Sequence, residues 1–222
     1  MPDSTSQQLQ TFYDVLLAHF GPQNWWPGDS PFEIMVGAIL TQNTNWKNVA
    51  KAIANLKHAD LLEPHRLAQL DHQHLGALIK PAGYFNIKAK RLGNFLNWFI
   101  HRFDADVKSA KQLDTQSLRC ELLAIKGIGP ETADSILLYG LEKLTFVVDR
   151  YTCRILWRHH LLDDDIDYDY IQQLFTDTIP AQLHLYNEYH ALLVALGENC
   201  CRPRPQCSTC PLAKFPHRLE EH

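Results

Sequence analysis

One short run, Ile125-Lys126-Gly127-Ile128-Gly129-Pro130, most constrains how this chain can fold. Residues 118–124 before it are apolar with helical spacing. Pro130 suits the first turn of a new helix, where its missing N–H costs nothing. Two glycines in three residues permit backbone angles closed to other side chains and let a second backbone come close. The chain is therefore expected to turn back on itself here as two helices joined by a hairpin. N–H groups of such a turn and of the helix start after it favour an anion, and Lys126 adds positive charge at the rim. An isolated G-x-G is more often a plain helix corner with a C-cap glycine. Its meaning rests on its neighbours, above all Phe146-Val147-Val148-Asp149-Arg150-Tyr151, which sets Asp149 at the mouth of the next helix.

The rest of the chain reads as all-α. Leu9, Phe12, Val15 and Leu16 recur at helical spacing. Ser30-Pro31-Phe32-Glu33 is a capping box with proline in the first helical position. Asn45 can cap a helix carrying Val49 and Ile53, and amphipathic stretches run over 86–103, 168–175 and 183–196. No run alternates convincingly as a strand, and Phe146-Val147-Val148 is too short to decide. The length of 222 residues suits one large domain or two lobes.

A net charge of −4 means that any affinity for a polyanion must come from a local basic face. Lys88, Lys90, Arg91, Lys126, Arg150, Arg154 and Arg158 are the candidates, with the acidic run Asp163-Asp164-Asp165 expected on the far side. The twelve histidines show no ligand spacing and receive no role. No stretch is long and apolar enough to cross a membrane.

Four of the six cysteines, Cys200, Cys201, Cys207 and Cys210, crowd into one tail segment. With no secretory signal ahead of them, a metal site is a more natural expectation than a disulfide framework. Cys120 and Cys153 sit in apolar helical patterns and read as buried packing residues, as do Trp98 and Trp157. Arg202, Arg204 and Lys214 flank the cysteine segment, either to meet a nucleic-acid backbone or as a solvated basic loop.

Together the hairpin and Asp149 resemble the helix-hairpin-helix of the endonuclease III superfamily of DNA glycosylases, where L-P-G-[IV]-G-x-x-T-A precedes a [VF]-V-D segment. Here 125–133 and 146–149 match in order and spacing, and the likeness extends over about 32–212. It implies a two-lobed all-α fold: a six-helix barrel ending in the hairpin over 29–143, and a second lobe of 1–28 with 144–222. It implies DNA contacts from Lys126, Gly127, Ile128, Gly129, Glu131 and Thr132, and makes Asp149 the catalytic carboxylate. An ionised carboxylate stabilises the positive charge left on the sugar when an N-glycosidic bond breaks. Helix capping remains the other reading of Asp149.

Strand-cleaving members of that superfamily carry a lysine two residues after the second hairpin glycine, where this chain has Glu131. A carboxylate forms no imine, so the resemblance points to a monofunctional enzyme. Gln42, in Leu40-Thr41-Gln42-Asn43-Thr44, occupies the position of the glutamine that fills the gap left by an extruded base. Trp46, with Trp25 and Trp26 upstream, resembles the aromatic base pocket of the endonuclease III-like 3-methyladenine glycosylases; core packing is the alternative for all three. The superfamily's loop C-x6-C-x2-C-x5-C holds a [4Fe–4S] cluster. Cys200, Cys207 and Cys210 match its first three positions, Pro216 stands at the fourth, and Cys201 and His217 are adjacent. An iron–sulfur cluster, zinc or no metal are the three possibilities, with the cluster on Cys200, Cys201, Cys207 and Cys210 favoured.

The expectation is thus a monomeric, cytoplasmic enzyme, nucleoid-associated in a bacterium, acting on double-stranded DNA with a damaged base. The alternatives are an endonuclease III-like glycosylase/lyase for oxidised pyrimidines and a noncatalytic DNA-structure-binding module.

Overall fold

The computed structural model describes residues 4–163 and 167–219. Asp164 and Asp165 of the acidic run lie outside the described residues. Helices and turns make up the described chain, with no strand among the described residues. It divides into two compact units, Trp26–Lys143 and Met1–Trp25 with Leu144–His222.

The unit Trp26–Lys143 contains α2 (Pro31–Leu40), α3 (Trp46–His58), α4 (Pro64–Ala68), α5 (His72–Ile79), α6 (Phe85–Phe103), α7 (Val107–Gln112), α8 (Thr115–Ala124) and α9 (Pro130–Ser135). Local chemistry starts these helices where it should. Ser30 accepts from the Glu33 N–H at 3.2 Å, and Glu33 reaches back to the Asp29 N–H at 3.1 Å. This is a capping box displaced by one residue on its return bond. Asn45 caps α3, and Asp71, Asp106 and Asp114 cap α5, α7 and α8. The core is a stripe of α6 (Leu92, Phe95, Leu96, Phe99) packed with Val36, Ile39 and Leu40 of α2, Val49 and Ile53 of α3, and Leu118 and Leu122 of α8. The short helices α4, α5 and α7 have no clear periodic signal in the sequence.

Within this unit α9 runs on into a π-helical turn, Ile136–Gly140, closed by the Leu141 N–H on the Ile136 carbonyl at 3.0 Å. α2 packs directly on this turn. Gly140 makes that possible, because a Cβ there would lie 2.8 Å from Met35 Cγ.

The other unit contains α1 (Ser4–Phe20), α10 (Arg150–Arg158), α11 (Tyr168–Thr178), α12 (Leu183–Asn199) and the cysteine loop. α12 packs on α10 and α1. Tyr189, fully buried on α12, donates to the Leu9 carbonyl at 2.7 Å. Gly197 lets α10 come close, since a Cβ there would collide with the Tyr151 ring at 2.3 Å. Phe146, Val147 and Val148 are buried without being a strand. Side chains satisfy their backbone instead: Gln172 Nε2 donates to the Phe146 carbonyl at 2.6 Å, and the Val148 N–H donates to the Tyr168 hydroxyl at 3.2 Å.

Several sequence expectations need correction. Cys120 is exposed, because it points away from the face carrying Leu118 and Leu122, and Cys153 is only half-buried. Lys88 and Arg158 are fully buried and cannot belong to a basic surface. Lys88 continues the core stripe of α6, four residues before Leu92. Arg158 points into the cysteine loop.

Candidate DNA-processing site

The hairpin of the Trp26–Lys143 unit joins α8 to α9. Gly127 has φ +100°, a conformation that side chains disfavour, and the Ile128 N–H closes the turn on the Ile125 carbonyl at 3.0 Å. Ile128 is buried and anchors the turn, whereas Lys126 and Glu131 are exposed. Gly129 is the N-cap residue of α9 in extended conformation, with open space where a Cβ would be. The first-turn N–H groups of α9 point outward past it along the helix axis.

Gln42 lies directly against this hairpin. Its Nε2 donates to the Gly127 carbonyl at 3.0 Å and to Thr132 Oγ1 at 2.9 Å, and its Oε1 accepts from Arg91 Nη1 at 2.6 Å. Both amide donors and one acceptor lone pair are therefore committed. The Arg91 stem covers Gly127, so closely that a Cβ at 127 would lie 2.4 Å from Arg91 Cγ. Sequence reading placed Arg91 on a general basic face and missed this pairing, which joins α6 to the hairpin. Below the Gln42 turn, Lys88 Nζ donates to the carbonyls of Leu40 and Ala82 at 2.8 and 2.7 Å. Burial, with the Arg91 charge adding, pulls this amine down to about 8.

Trp26 and Trp46 come together over α2. Their rings meet edge to face at 5.3 Å, and Tyr139 from the π-helical turn lies 5.1 Å from Trp26. Gly37 makes room for them: a Cβ there would press on Trp26 Nε1 at 3.3 Å and on the Trp46 ring at 3.4 Å. The two tryptophans stand perpendicular, so they are not parallel jaws to each other. Tyr139 carries no motif in sequence; only the fold brings it to Trp26. Trp25 belongs to the other unit.

In that other unit Asp149 is the N-cap residue of α10. Its Oδ1 accepts from the Thr152 N–H at 2.7 Å and from Thr152 Oγ1 at 2.9 Å, and its Oδ2 lies 3.7 Å from His190 Nε2. Burial by itself pushes the carboxyl up. The attraction of His190 across 3.7 Å and the Thr152 donors outweigh it, holding Asp149 below its ordinary value. Capping and a charged buried carboxylate thus reside in one side chain. His190, on α12, had no signal in the sequence beyond its place on a buried helix face.

The four tail cysteines line one small pocket together with His217, Arg158 and His159. Cys200 and Cys201 are buried, and Cys207 and Cys210 half-buried. Burial pushes the Cys210 thiol up to about 11, and the sulfurs of Cys200, Cys201 and Cys207 add to the shift, so all four are neighbours. Arg158 Nη1 lies 3.3 Å from Cys201 Sγ and donates to the Arg202 carbonyl at 2.6 Å, and Nη2 donates to the Pro203 carbonyl at 2.8 Å. No group of three or more His, Cys, Asp or Glu among the described residues is arranged around a single ion. An iron–sulfur cluster makes a different demand, one thiolate for each of several irons. The donor chemistry fits a cluster in kind, with His217 beside the position where the fourth cysteine is missing.

A glycine hairpin offering backbone N–H groups, a glutamine held against it and a buried, ionised aspartate capping the next long helix are features of one class of DNA repair enzyme. Residues 36–181 match the HhH-GPD superfamily of base excision DNA repair proteins, and the chain belongs to that superfamily as a DNA N-glycosylase. It is 44% identical over 216 residues to a Methanocaldococcus jannaschii protein assigned to the DNA repair glycosylases, covering 97% of this chain and 98% of that one. Endonuclease III of Sulfolobus acidocaldarius is 30% identical, over 83% of this chain and 80% of its own. The solved structure of the Helicobacter pylori 3-methyladenine DNA glycosylase MagIII bound to 1,N6-ethenoadenine superposes with a TM-score of 0.75. It is 30% identical, over 87% of this chain and 97% of that chain.

Proposed function

We propose that this glycosylase is monofunctional and removes alkylated purines such as 3-methyladenine. The observation that carries the reading is the Trp26–Trp46–Tyr139 cluster, ring surface gathered where Gly37 leaves room for it. A purine methylated at N3 is cationic, and aromatic faces attract a cation as well as stack on a base, for about 1–3 kcal/mol per ring. The likeness to MagIII supports the same substrate class. Glu131, exposed where the lyase lysine stands in bifunctional relatives, supports hydrolysis without strand cleavage.

In this reading the lesion is already a good leaving group. The C1′–N bond breaks with its electron pair going to the base, and positive charge develops on the sugar. Asp149, ionised and held by Thr152, stabilises that charge. Water adds its oxygen to C1′ and gives up a proton, leaving an abasic site. The hairpin N–H groups and Lys126 hold a backbone phosphate, and Gln42 fills the gap left by the extruded base, which costs a few kcal/mol to flip. Cys200, Cys207 and Cys210, with Cys201 or His217, would hold a [4Fe–4S] cluster, which when bound supplies a structural clasp for the loop.

The test is base release from duplexes carrying 3-methyladenine or thymine glycol, each with and without borohydride. The expected result is free 3-methyladenine, no trapped protein–DNA adduct, and no nick before alkali. Thymine-glycol release with a trapped adduct would establish the endonuclease III-like reading instead. Tight binding of damaged DNA with no base released would establish a binding module.

A further inference from the structure

Asp149 has two carboxylate oxygens and the chain treats them differently. Oδ1 is saturated by the two donors of Thr152. Oδ2 faces His190 Nε2 at 3.7 Å, and both side chains are more than nine-tenths buried. The pairing is built by helix packing. His190 and Gly197 lie seven residues apart on α12, two turns and therefore one face. At Gly197 the Tyr151 ring of α10 fills the volume of the absent side chain. That close approach brings the start of α10, with its Asp149 cap, opposite His190.

We propose that His190 is the positioning residue for Asp149: across the contact of α10 with α12 it holds Oδ2 in place. The inference rests on the reading of Asp149 as the catalytic carboxylate. The charged groups around the pair have other occupations. On α10, Arg154 Nε donates to the Cys201 carbonyl at 2.7 Å, Arg158 is turned to the carbonyls of Arg202 and Pro203, and Arg150 lies over the Tyr151 ring. On α12, Glu188 accepts from the Gln23 N–H at 2.7 Å; His184 and Glu198 are the remaining titratable groups there besides the tyrosines. On α1, Asp14 acts on Tyr13 and Tyr189, and His19 meets Phe20. Burial of Asp149 favours its neutral form and His190 opposes this. Removing the imidazole therefore lets the carboxyl take up a proton at higher pH.

The experiment is single-turnover base release against pH for wild type, His190→Leu, His190→Gln and Asp149→Asn, with affinity for an abasic-site duplex measured in parallel. The leucine fills the space without a donor; the glutamine places an amide nitrogen close to where Nε2 stood. Expected for His190→Leu is an acid limb moved up by about one pH unit and a rate about tenfold lower on that limb, with DNA affinity unchanged. His190→Gln is expected to recover most of the rate, which a purely space-filling role would not produce. If the leucine variant does not fold, His190→Met, which also fills the space without a donor, decides: a limb raised above that of wild type supports the proposal, and an unshifted limb overturns it. Wild-type profiles in both variants, with Asp149→Asn inactive, overturn the inference alone. Full base release by Asp149→Asn overturns the catalytic reading beneath it.

Discussion

The Gln42 side chain donates to the Gly127 carbonyl at 3.0 Å, across 85 residues of sequence. The residue proposed to enter the DNA stack is thus bonded to the turn proposed to hold the DNA backbone, with Thr132 and Arg91 completing its hydrogen bonds. A glutamine on a free loop would lose side-chain entropy on entering the helix; here it is ordered beforehand. Thr132→Val removes one acceptor from this arrangement. We expect about 1 kcal/mol lost from stability and a weaker grip on an abasic-site duplex, read by denaturant unfolding and fluorescence anisotropy.

The two hairpin glycines should respond differently. Gly127→Ala forces a side chain into φ +100° and onto Arg91 Cγ, at a cost of about 1–3 kcal/mol. Gly129 has ordinary extended angles and open space around it, so Gly129→Ala should fold like wild type. Thermal unfolding of both variants checks this. Equal destabilisation would mean that the turn is held by something other than the Gly127 conformation.

The cap made by Asp149 and its proposed catalytic role can be probed separately. Asparagine is as good an N-cap as aspartate. Asp149→Asn is therefore expected to melt near wild type while single-turnover base release falls by at least about 100-fold. Asp149→Ala should in addition lose about 1 kcal/mol of stability with the cap.

Lys88 gives a signed dependence on pH. Its folded value, about 8, lies below the ordinary 10.5. Between these values the unfolded chain holds more protons, so stability rises with pH across the window. The advantage is full above about 10.5 and is lost as pH falls to about 8; below that both states are protonated. Urea unfolding of wild type against Lys88→Met, from pH 7.5 to 10, should show the difference changing in favour of wild type as pH rises. A flat difference would mean that the amine keeps its ordinary proton affinity in the fold.

The cysteine pocket predicts a composition. Protein purified without oxygen should carry about four irons per chain, and Cys207→Ala should lose both the iron and the visible absorbance. Metal analysis finding one zinc would replace the cluster with a single-ion site.

Much of this was legible in the sequence because it depends on neighbours along the chain. The caps at Ser30, Asn45 and Asp149, the turn at Gly127 and the start of α9 at Pro130 are local chemistry, and all are found. What escaped depends on packing. Lys88 shares a spacing with Leu92, Phe95 and Phe99, a hint outweighed by its charge. The Arg91–Gln42 bond spans 49 residues, and the meeting of Tyr139 with Trp26 depends on a helix register that no periodicity reveals. His190 gave no signal because a histidine on a buried face is ordinarily just packing.

The π-helical turn at Ile136–Gly140 has a consequence for how this chain tolerates changes in length. It holds one more residue per hydrogen-bonded loop than an α-turn does. Deleting one residue there would turn the wide loop into an ordinary α-turn and leave fewer side chains to fill the space that Ile136–Gly140 fills now. Tyr139 would be drawn from its place beside Trp26, or the packing of α2 on Gly140 would open. The turn works as a vernier between the aromatic cluster and the hairpin, and it fixes the chain length over this stretch more strictly than the identity of most residues in it.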